Sequence, residues 1–241
     1  MKIDYVILSS DENELYSDFY PVVSRQWKHF GLNVMYIKIT DEDTLLRNTD
    51  TGCEINIKAV KGIDTGFQSQ IVRLYASQIL NNKNILISDI DMLPLSSKYY
   101  VENAKKVENN KILIYSGQPY TDVPHYPACY ILGNSDILRE VWDIEESYED
   151  FVRKMYAFSN GDWNTDEKYM YTKLSEFENK IVLRDRKFSH CSSRFDRVNN
   201  DTWRDTLDVE KLLKGGYIDS HLIRPYSKHK ESIDRLLFYE K

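Results

Sequence analysis

The chain has 241 residues and a mass of 28.5 kDa, enough for one large domain or two small ones. Its 32 basic and 38 acidic side chains give a net charge of −6, which disfavours binding to the phosphate backbone of a nucleic acid. Hydrophobic residues make up 41% of the chain, with only nine glycines and six prolines, and this composition excludes a disordered or low-complexity protein.

The cysteines and the hydropathy pattern bear on the expected subcellular localisation. Cys53, Cys129 and Cys191 are far apart and form no C-x-x-C pair, so the sequence offers neither a disulfide framework nor a zinc-binding motif. No stretch approaches the ~18 consecutive apolar residues of a membrane-spanning helix, and no integral membrane segment is expected. We therefore expect a cytoplasmic protein with reduced, buried thiols.

The first half of the chain alternates between apolar runs and amphipathic stretches. The apolar runs predict strands at residues 5–8, 34–37, 55–60 and 85–87. Apolar side chains at helical spacing predict a helix over residues 11–30, kinked at Pro21, and another over residues 67–80. This order predicts an α/β fold whose central sheet is mixed but mainly parallel, with helices on both faces.

The second half continues the pattern less regularly. Further strands are predicted at residues 112–115, 128–132 and 181–183, and helices near residues 135–142, 146–158 and 166–177. No repeat, linker or shift in composition marks a boundary. We therefore expect a single domain over residues 1–241 with an irregular C-terminal third.

Several common active-site motifs are absent from the sequence. There is no G-x-G-x-x-G after a strand, no phosphate-binding loop ending in G-K-[ST], no H-E-x-x-H and no G-x-S-x-G. Their absence disfavours dinucleotide-dependent dehydrogenases, P-loop enzymes, zinc proteases of the H-E-x-x-H type and α/β-hydrolases.

Two carboxylates, Asp89 and Asp91, directly follow the strand predicted at residues 85–87. Residues two apart in extended backbone point to the same face, and ligands of α/β sheets bind at the strand ends. Both side chains can therefore address one Mg²⁺ or Mn²⁺ together with the oxygens of a diphosphate. A solvated strand end is the alternative interpretation, and a second acidic triplet at residues 41–43 falls in a polar loop.

The helix segment 73–75 and the segment 84–95, N-I-L-I-S-D-I-D-M-L-P-L, resemble the helix and the D-x-D strand of GT-A-fold glycosyltransferases. These enzymes use a nucleotide-sugar donor and a divalent cation. More narrowly, the chain resembles the small glycosyltransferase domains of chlorella-infecting viruses, and more distantly the glycogenin-type transferases. The resemblance implies a single GT-A (Rossmann-like) domain with a nucleotide-binding half at residues 1–95 and an acceptor half at residues 96–241.

The resemblance also assigns residues to the donor site. It implies that Ser9, Ser10 and Asp11 line the nucleotide pocket and that Arg73 approaches the diphosphate or the sugar. A surface ion pair is the alternative for Arg73.

Residues 219–226, D-S-H-L-I-R-P-Y, resemble the C-terminal segment that supplies a histidine ligand in many GT-A enzymes. The resemblance implies that His221 is the third metal ligand, with His190 and His229 as competing candidates. The nearby basic side chains could hold the diphosphate or could form a solvated tail; they are Arg224, Lys228 and His229.

A second acidic pair, Asp166 and Glu167, begins a predicted helix. Thr165 could cap this helix, and the two acidic side chains could simply complement its dipole. Both nevertheless align with the apolar stripe of the helix rather than with its solvent side. The resemblance implies an acidic pair that faces the acceptor, so either residue could be the general base that takes the acceptor's hydroxyl proton.

These observations predict a metal-dependent glycosyltransferase that moves a sugar from a nucleotide sugar, expected to be a UDP-sugar, to a hydroxyl of a glycan acceptor. The alternatives are a nucleotidyltransferase, although the acidic segment 9–12 replaces the basic, Gly-rich loop typical of that class, and a non-catalytic carbohydrate-binding domain. Tyr120, Tyr126 and Trp163 could stack on sugar faces. Residues 194–197 could contact the donor or the acceptor or, more simply, form a surface salt-bridge cluster.

Overall fold

The apolar runs of the first half form neighbouring parallel strands at the centre of the sheet. The computed structural model describes residues 1–50, 52–115, 117, 124–184, 197–198 and 208–237, and the backbone of residues 188–190 and 193–194. Strand β1 (Tyr5–Ser10) lies between β2 (Asn33–Thr40) and β5 (Asn84–Ile87). Beyond β2 lie β4 (Gly52–Lys58) and the edge strand β3 (Arg47–Thr49).

Three later strands extend the sheet on the other side of β5. They are β8 (Ile131–Asn134), β7 (Ile112–Ile114) and β9 (Lys180–Val182), so the eight strands follow the order β3-β4-β2-β1-β5-β8-β7-β9. Among the described strands of this sheet, only β3 and β8 run antiparallel to their neighbours, which confirms the mixed, mainly parallel sheet. The strand predicted from residue 128 begins instead at Ile131, because residues 128–130 form a bend and turn.

The described residues form nine helices, and most of them follow the predicted spacing. The helix expected over residues 11–30 is two helices, because Pro21 occupies the first turn of the second one, where its missing N–H costs no hydrogen bond. The helices are α1 (Glu14–Ser17), α2 (Tyr20–His29), α3 (Thr65–Ile79), α4 (Ser97–Lys105), α5 (Ser135–Trp142), α6 (Tyr148–Ser159), α7 (Thr165–Glu176), α8 (Val209–Leu213) and α9 (Tyr226–Asp234). None of these helices is long and apolar enough to cross a membrane.

The sheet separates two hydrophobic cores because successive side chains of a strand point to opposite faces. Val6 of β1 packs in the core that contains Trp27 of α2, and its neighbour Ile7 packs in the core that contains Ile71 of α3 and Trp142 of α5. Both halves of the chain contribute strands and helices to these cores.

A small three-stranded sheet joins the far end of the chain to the end of the large sheet. Its middle strand β13 (Asp219–His221) pairs with β6 (Met92–Pro94) and with β12 (Arg197–Val198); the separate pair of β10 (Phe188–His190) and β11 (Ser193–Arg194) precedes it along the chain. His221 lies opposite Met92 in this pairing. The C-terminal segment is thereby held beside the residues that follow β5.

Candidate active site

A cleft opens at the carboxyl ends of β1 and β5, where α/β sheets usually bind ligands. Its volume is about 630 Å³, within the ~300–1,000 Å³ typical of ligand pockets. Lys228 does not line it; this exposed residue of α9 borders a shallow hollow elsewhere. Ten of the residues predicted for the site line the cleft: Ser9, Ser10, Asp11, Arg73, Asp89, Asp91, Asp166, Glu167, His221 and Arg224.

Asp91 and His221 meet on one wall of the cleft although 130 positions separate them in the chain. The backbone brings them together, since β13 pairs with β6 and the amide of Leu222 donates to the carbonyl of Asp91 at 2.9 Å. The Oδ2 atom of Asp91 lies 3.3 Å from Nε2 of His221. Burial opposes ionisation of Asp91, but the contact with His221 and the charge of Arg224 hold its pKa below the ordinary value.

The spacing of these two side chains suits a shared cation. Two ligands that each lie ~2.1–2.2 Å from one metal ion at angles of 90–110° are separated by about 3.0–3.6 Å. The Asp91–His221 distance of 3.3 Å falls in this range, and a carboxylate with an imidazole is a donor set that Mn²⁺ accepts. Among the described residues, however, no three His, Cys, Asp or Glu side chains already converge as a metal cluster, because Asp89 is turned toward Arg73.

Arg73 links the two acidic pairs. It extends from α3, and its side chain is 8% exposed. One Nη donates to Oδ1 of Asp89, and the other donates to Oδ2 of Asp166 at 2.7 Å. Burial would lower the pKa of Arg73, but the two carboxylates outweigh it and raise that pKa. The surface ion pair considered as the alternative is therefore wrong in one respect: the pairing with Asp166 is buried.

Asp166 and Glu167 differ in how firmly they are held. Asp166 is buried, and its carboxylate accepts from Arg73 and from the backbone amide of Glu167. Burial raises the pKa of Asp166 to about 6 despite the charge of Arg73. Burial and then the charge of Asp166 raise the pKa of Glu167 to about 8. Thr165 does not cap α7; the helix starts from Asn164, whose side chain makes no capping bond, and the Thr165 hydroxyl donates to the carbonyl of Asp162.

The last two residues of β1 and the residue after them line the cleft. The hydroxyl of Ser9 donates to the carbonyl of Ser69 in α3 at 2.6 Å, and the hydroxyl of Ser10 shares a hydrogen bond with Tyr36 at 2.5 Å. Asp11 accepts from the hydroxyl of Thr65, the first residue of α3, at 2.9 Å. These bonds fix the backbone of this turn against α3 and β2.

A buried ion pair links two neighbouring strands of the small sheet, β12 and β13. Arg197 of β12 donates from Nε and Nη2 to the two oxygens of Asp219, at 2.6 and 3.0 Å, and Asp219 is fully buried. This corrects the expected surface salt-bridge cluster for Arg197, which is buried and lines the cleft. The sequence gives no local signal for the pair, since its members lie 22 positions apart in short strands.

Several aromatic side chains also border the cleft. Trp163 lies at the rim and is 59% exposed, and Tyr16 lies under Arg224 with the guanidinium carbon 4.8 Å from the ring centroid. Tyr126 packs against Tyr171 instead and does not line the cleft. Tyr120 is outside the described residues. Of the competing histidines, His229 does not line the cleft, and only the backbone of His190 is described.

No protein-family model and no curated protein matches the sequence, whereas solved structures do resemble the fold. An active-site mutant of LgtC superposes with a TM-score of 0.53 at 10% identity, over 97% of this chain and 96% of that chain. The galactosyltransferase LgtC with donor and acceptor sugar analogues gives a TM-score of 0.49 at 12% identity, over 96% and 94%. The glycosyltransferase GlyE of Streptococcus pneumoniae TIGR4 gives 0.45 at 11% identity over 77% of this chain, which spans 46% of GlyE. The superposition on the LgtC mutant shows that this chain has a glycosyltransferase fold, that of LgtC, over 97% of its length.

Proposed function

We propose that this protein is a metal-dependent glycosyltransferase that moves a sugar from a nucleotide sugar, most simply a UDP-sugar, to a hydroxyl of a glycan acceptor. A shared fold does not by itself give a shared activity, so the proposal depends on the site. The observation that carries it is the contact of Asp91 with His221 in the same cleft as the group of Arg73, Asp89 and Asp166.

Asp91 and His221 would hold Mn²⁺ or Mg²⁺, with Asp89 joining them if it leaves Arg73. When bound, the cation would act as a Lewis acid toward the leaving diphosphate. Arg224 can add a positive charge on the same side of the cleft, because its guanidinium is held over Tyr16 and lines the wall beside His221. Ser9, Ser10 and Asp11 would form the floor under the nucleoside.

Arg73 serves the proposed reaction mainly by positioning. Its charge is matched by two carboxylates, and its side chain is 8% exposed, so little of its field reaches a diphosphate. It instead holds Asp166 at the acceptor side, and it pairs with Asp89 until that carboxylate turns toward the cation. This differs from a direct approach to the diphosphate or the sugar, the role that the resemblance implies.

In the transfer, the bond between the anomeric carbon and the diphosphate oxygen breaks, and a bond from the acceptor oxygen to that carbon forms. The acceptor hydroxyl loses its proton, and we assign this proton to Glu167. Asp166 is less suited, because its carboxylate already accepts two hydrogen bonds. In its ionised form, a carboxylate whose pKa is raised to about 8 is a stronger base than an ordinary one, and the ionised fraction of Glu167 grows as the pH rises toward that value.

The test compares UDP release from a panel of UDP-sugars with and without Mn²⁺. Asp91→Asn and His221→Ala should each lower metal-dependent UDP release at least a hundredfold, with thermal unfolding midpoints close to that of the parent protein. Asp41→Asn is the matched control, since Asp41 belongs to the other acidic triplet and is exposed outside the cleft. Undiminished release in Asp91→Asn or His221→Ala would refute the metal assignment.

The reaction products and the ligands bound distinguish a glycosyltransferase from the two alternative functions. A nucleotidyltransferase would release pyrophosphate from a nucleoside triphosphate. A non-catalytic domain would bind sugars without releasing UDP. Thermal shifts with each nucleotide sugar, with and without Mn²⁺, identify the donor because specific binding stabilises the folded state.

A further inference from the structure

Trp163 exposes most of its indole although it lines the cleft. The described residues include three tryptophans; Trp27 and Trp142 are fully buried, whereas Trp163 is 59% exposed. A single exposed apolar residue is ordinary on a protein surface. Trp163 is distinguished by its place on the wall of the cleft, beside Asn164, Asp166 and Glu167.

The turn that carries Trp163 is firmly built. Gly161 takes a left-handed backbone conformation with φ +75°, and a Cβ atom there would lie 2.6 Å from the ring of Tyr156. The carboxylate of Asp162 pairs with Lys168, and its carbonyl accepts from the amide of Thr165 at 3.1 Å. The backbone that carries the indole is therefore ordered before any ligand binds, so binding does not have to order the turn.

The position of the turn indicates which substrate the indole meets. Trp163 precedes Glu167 by four residues, and Glu167 is the residue to which we assign the acceptor's proton. The residues assigned to the donor and the cation come from other segments, at the ends of β1 and β5 and in β13. The indole thus belongs to the acceptor side of the cleft.

We propose that Trp163 is the platform on which the acceptor sugar stacks, and that the acceptor is therefore a pyranoside. The C–H bonds on one face of a pyranose form an apolar surface, and the π face of an indole attracts their partial positive charge. Stacking on Trp163 brings a hydroxyl of that sugar toward Glu167. This inference rests on the proposed function and names the class of acceptor.

The test is the pair of variants Trp163→Ala and Trp163→Phe in the full chain, with Leu213→Ala as the control, since Leu213 is 61% exposed and does not line the cleft. The acceptors are the methyl α- and β-pyranosides of glucose, galactose and mannose. Trp163→Ala should raise the acceptor KM roughly tenfold, Trp163→Phe less than threefold, and the KM for the UDP-sugar should change less than twofold in both.

An unchanged acceptor KM in Trp163→Ala would overturn the proposal. A parallel rise in the KM for the UDP-sugar would also overturn it, because the indole would then stack on the nucleotide. If the parent protein releases no UDP at all, the proposed function fails. Tryptophan fluorescence then tests independently whether a sugar stacks on Trp163. A saturable change in tryptophan emission with a methyl pyranoside, lost in Trp163→Phe, supports stacking; no change with any of them excludes it.

Discussion

The buried pairing of Arg73 with Asp166 makes a quantitative prediction about stability. Arg73→Met removes the guanidinium and leaves the carboxylate of Asp166, only 5% exposed, without its charged partner. Opposite charges about 4 Å apart attract by about 4 kcal/mol at an effective dielectric constant of about 20. Loss of one member of a buried pair typically costs about 3–5 kcal/mol. The pairing of Arg73 with Asp89 contributes less to the loss of stability, since the side chain of Asp89 is 29% exposed and water partly screens its charge.

The loss should depend on pH in a defined direction. Burial raises the pKa of Asp166 to about 6 even opposite Arg73, and without Arg73 this pKa rises further. A carboxyl whose pKa is higher in the folded state than in the unfolded state favours folding at low pH and loses that contribution as the pH rises through the folded pKa. We therefore expect Arg73→Met to lower the free energy of unfolding by about 3–5 kcal/mol at pH 8 and by about 1–2 kcal/mol at pH 5.

Urea denaturation at the two pH values measures these losses. The double variant Arg73→Met/Asp166→Asn should lose about 1–3 kcal/mol less than the sum of the single variants, because the neutral amide needs no counter-charge. The control is Arg47→Met, which removes an arginine that is 65% exposed and pairs with Glu54, and which should cost less than about 1 kcal/mol. Equal losses at pH 5 and pH 8, or additive single variants, would refute the reasoning.

Two further predictions concern other buried charges. The pKa of Glu167 is about 8 in the folded protein and near 4.5 in the unfolded chain, so the free energy of unfolding should decline as the pH rises between these values. Glu167→Gln should remove about 1–3 kcal/mol of that decline, as measured by urea titrations at several pH values. An unchanged pH dependence in the variant would contradict the raised pKa. Asp219→Asn removes the charge of the buried carboxylate that accepts two hydrogen bonds from Arg197 and should lower the free energy of unfolding by about 3–5 kcal/mol. Since Asp219 lies two positions before His221 in β13, the same variant should weaken Mn²⁺ binding about tenfold in calorimetry; unaltered affinity would show that the ion pair does not position the histidine.

Much of the fold could be predicted because apolar periodicity reports burial directly. The predicted strand at residues 85–87 and the helix at residues 135–142 agree closely with β5 and α5, whose buried residues follow the expected pattern. Helix α4 escaped prediction because it is polar, with only Tyr100 and Ala104 buried, although its N-cap Ser96 is a recognisable signal. Strands of two or three residues, such as β6 and β12, have no periodicity to detect.

The candidate site was predictable where a local pattern or a resemblance identified its members. Asp89 and Asp91 follow a fully apolar strand, and the structure places both in the cleft with His221, which the resemblance identified. The ion pair of Arg197 with Asp219 could not be read from the sequence, because it depends on strand pairing across the chain. The prediction for Lys228 is wrong: its basic side chain and its closeness in sequence to His221 favour the diphosphate site, but it is exposed on α9 and does not line the cleft.

The order of strands along the chain has a consequence for biosynthesis. All eight strands of the large sheet are complete by Val182, whereas the imidazole that meets Asp91 arrives only with β13 near the far end. During translation the large sheet can therefore form before the cleft is complete, and a nascent chain that ends before residue 219 lacks His221, the proposed metal ligand. A premature stop in this region would yield a domain with most of its core but without the contact of His221 with Asp91.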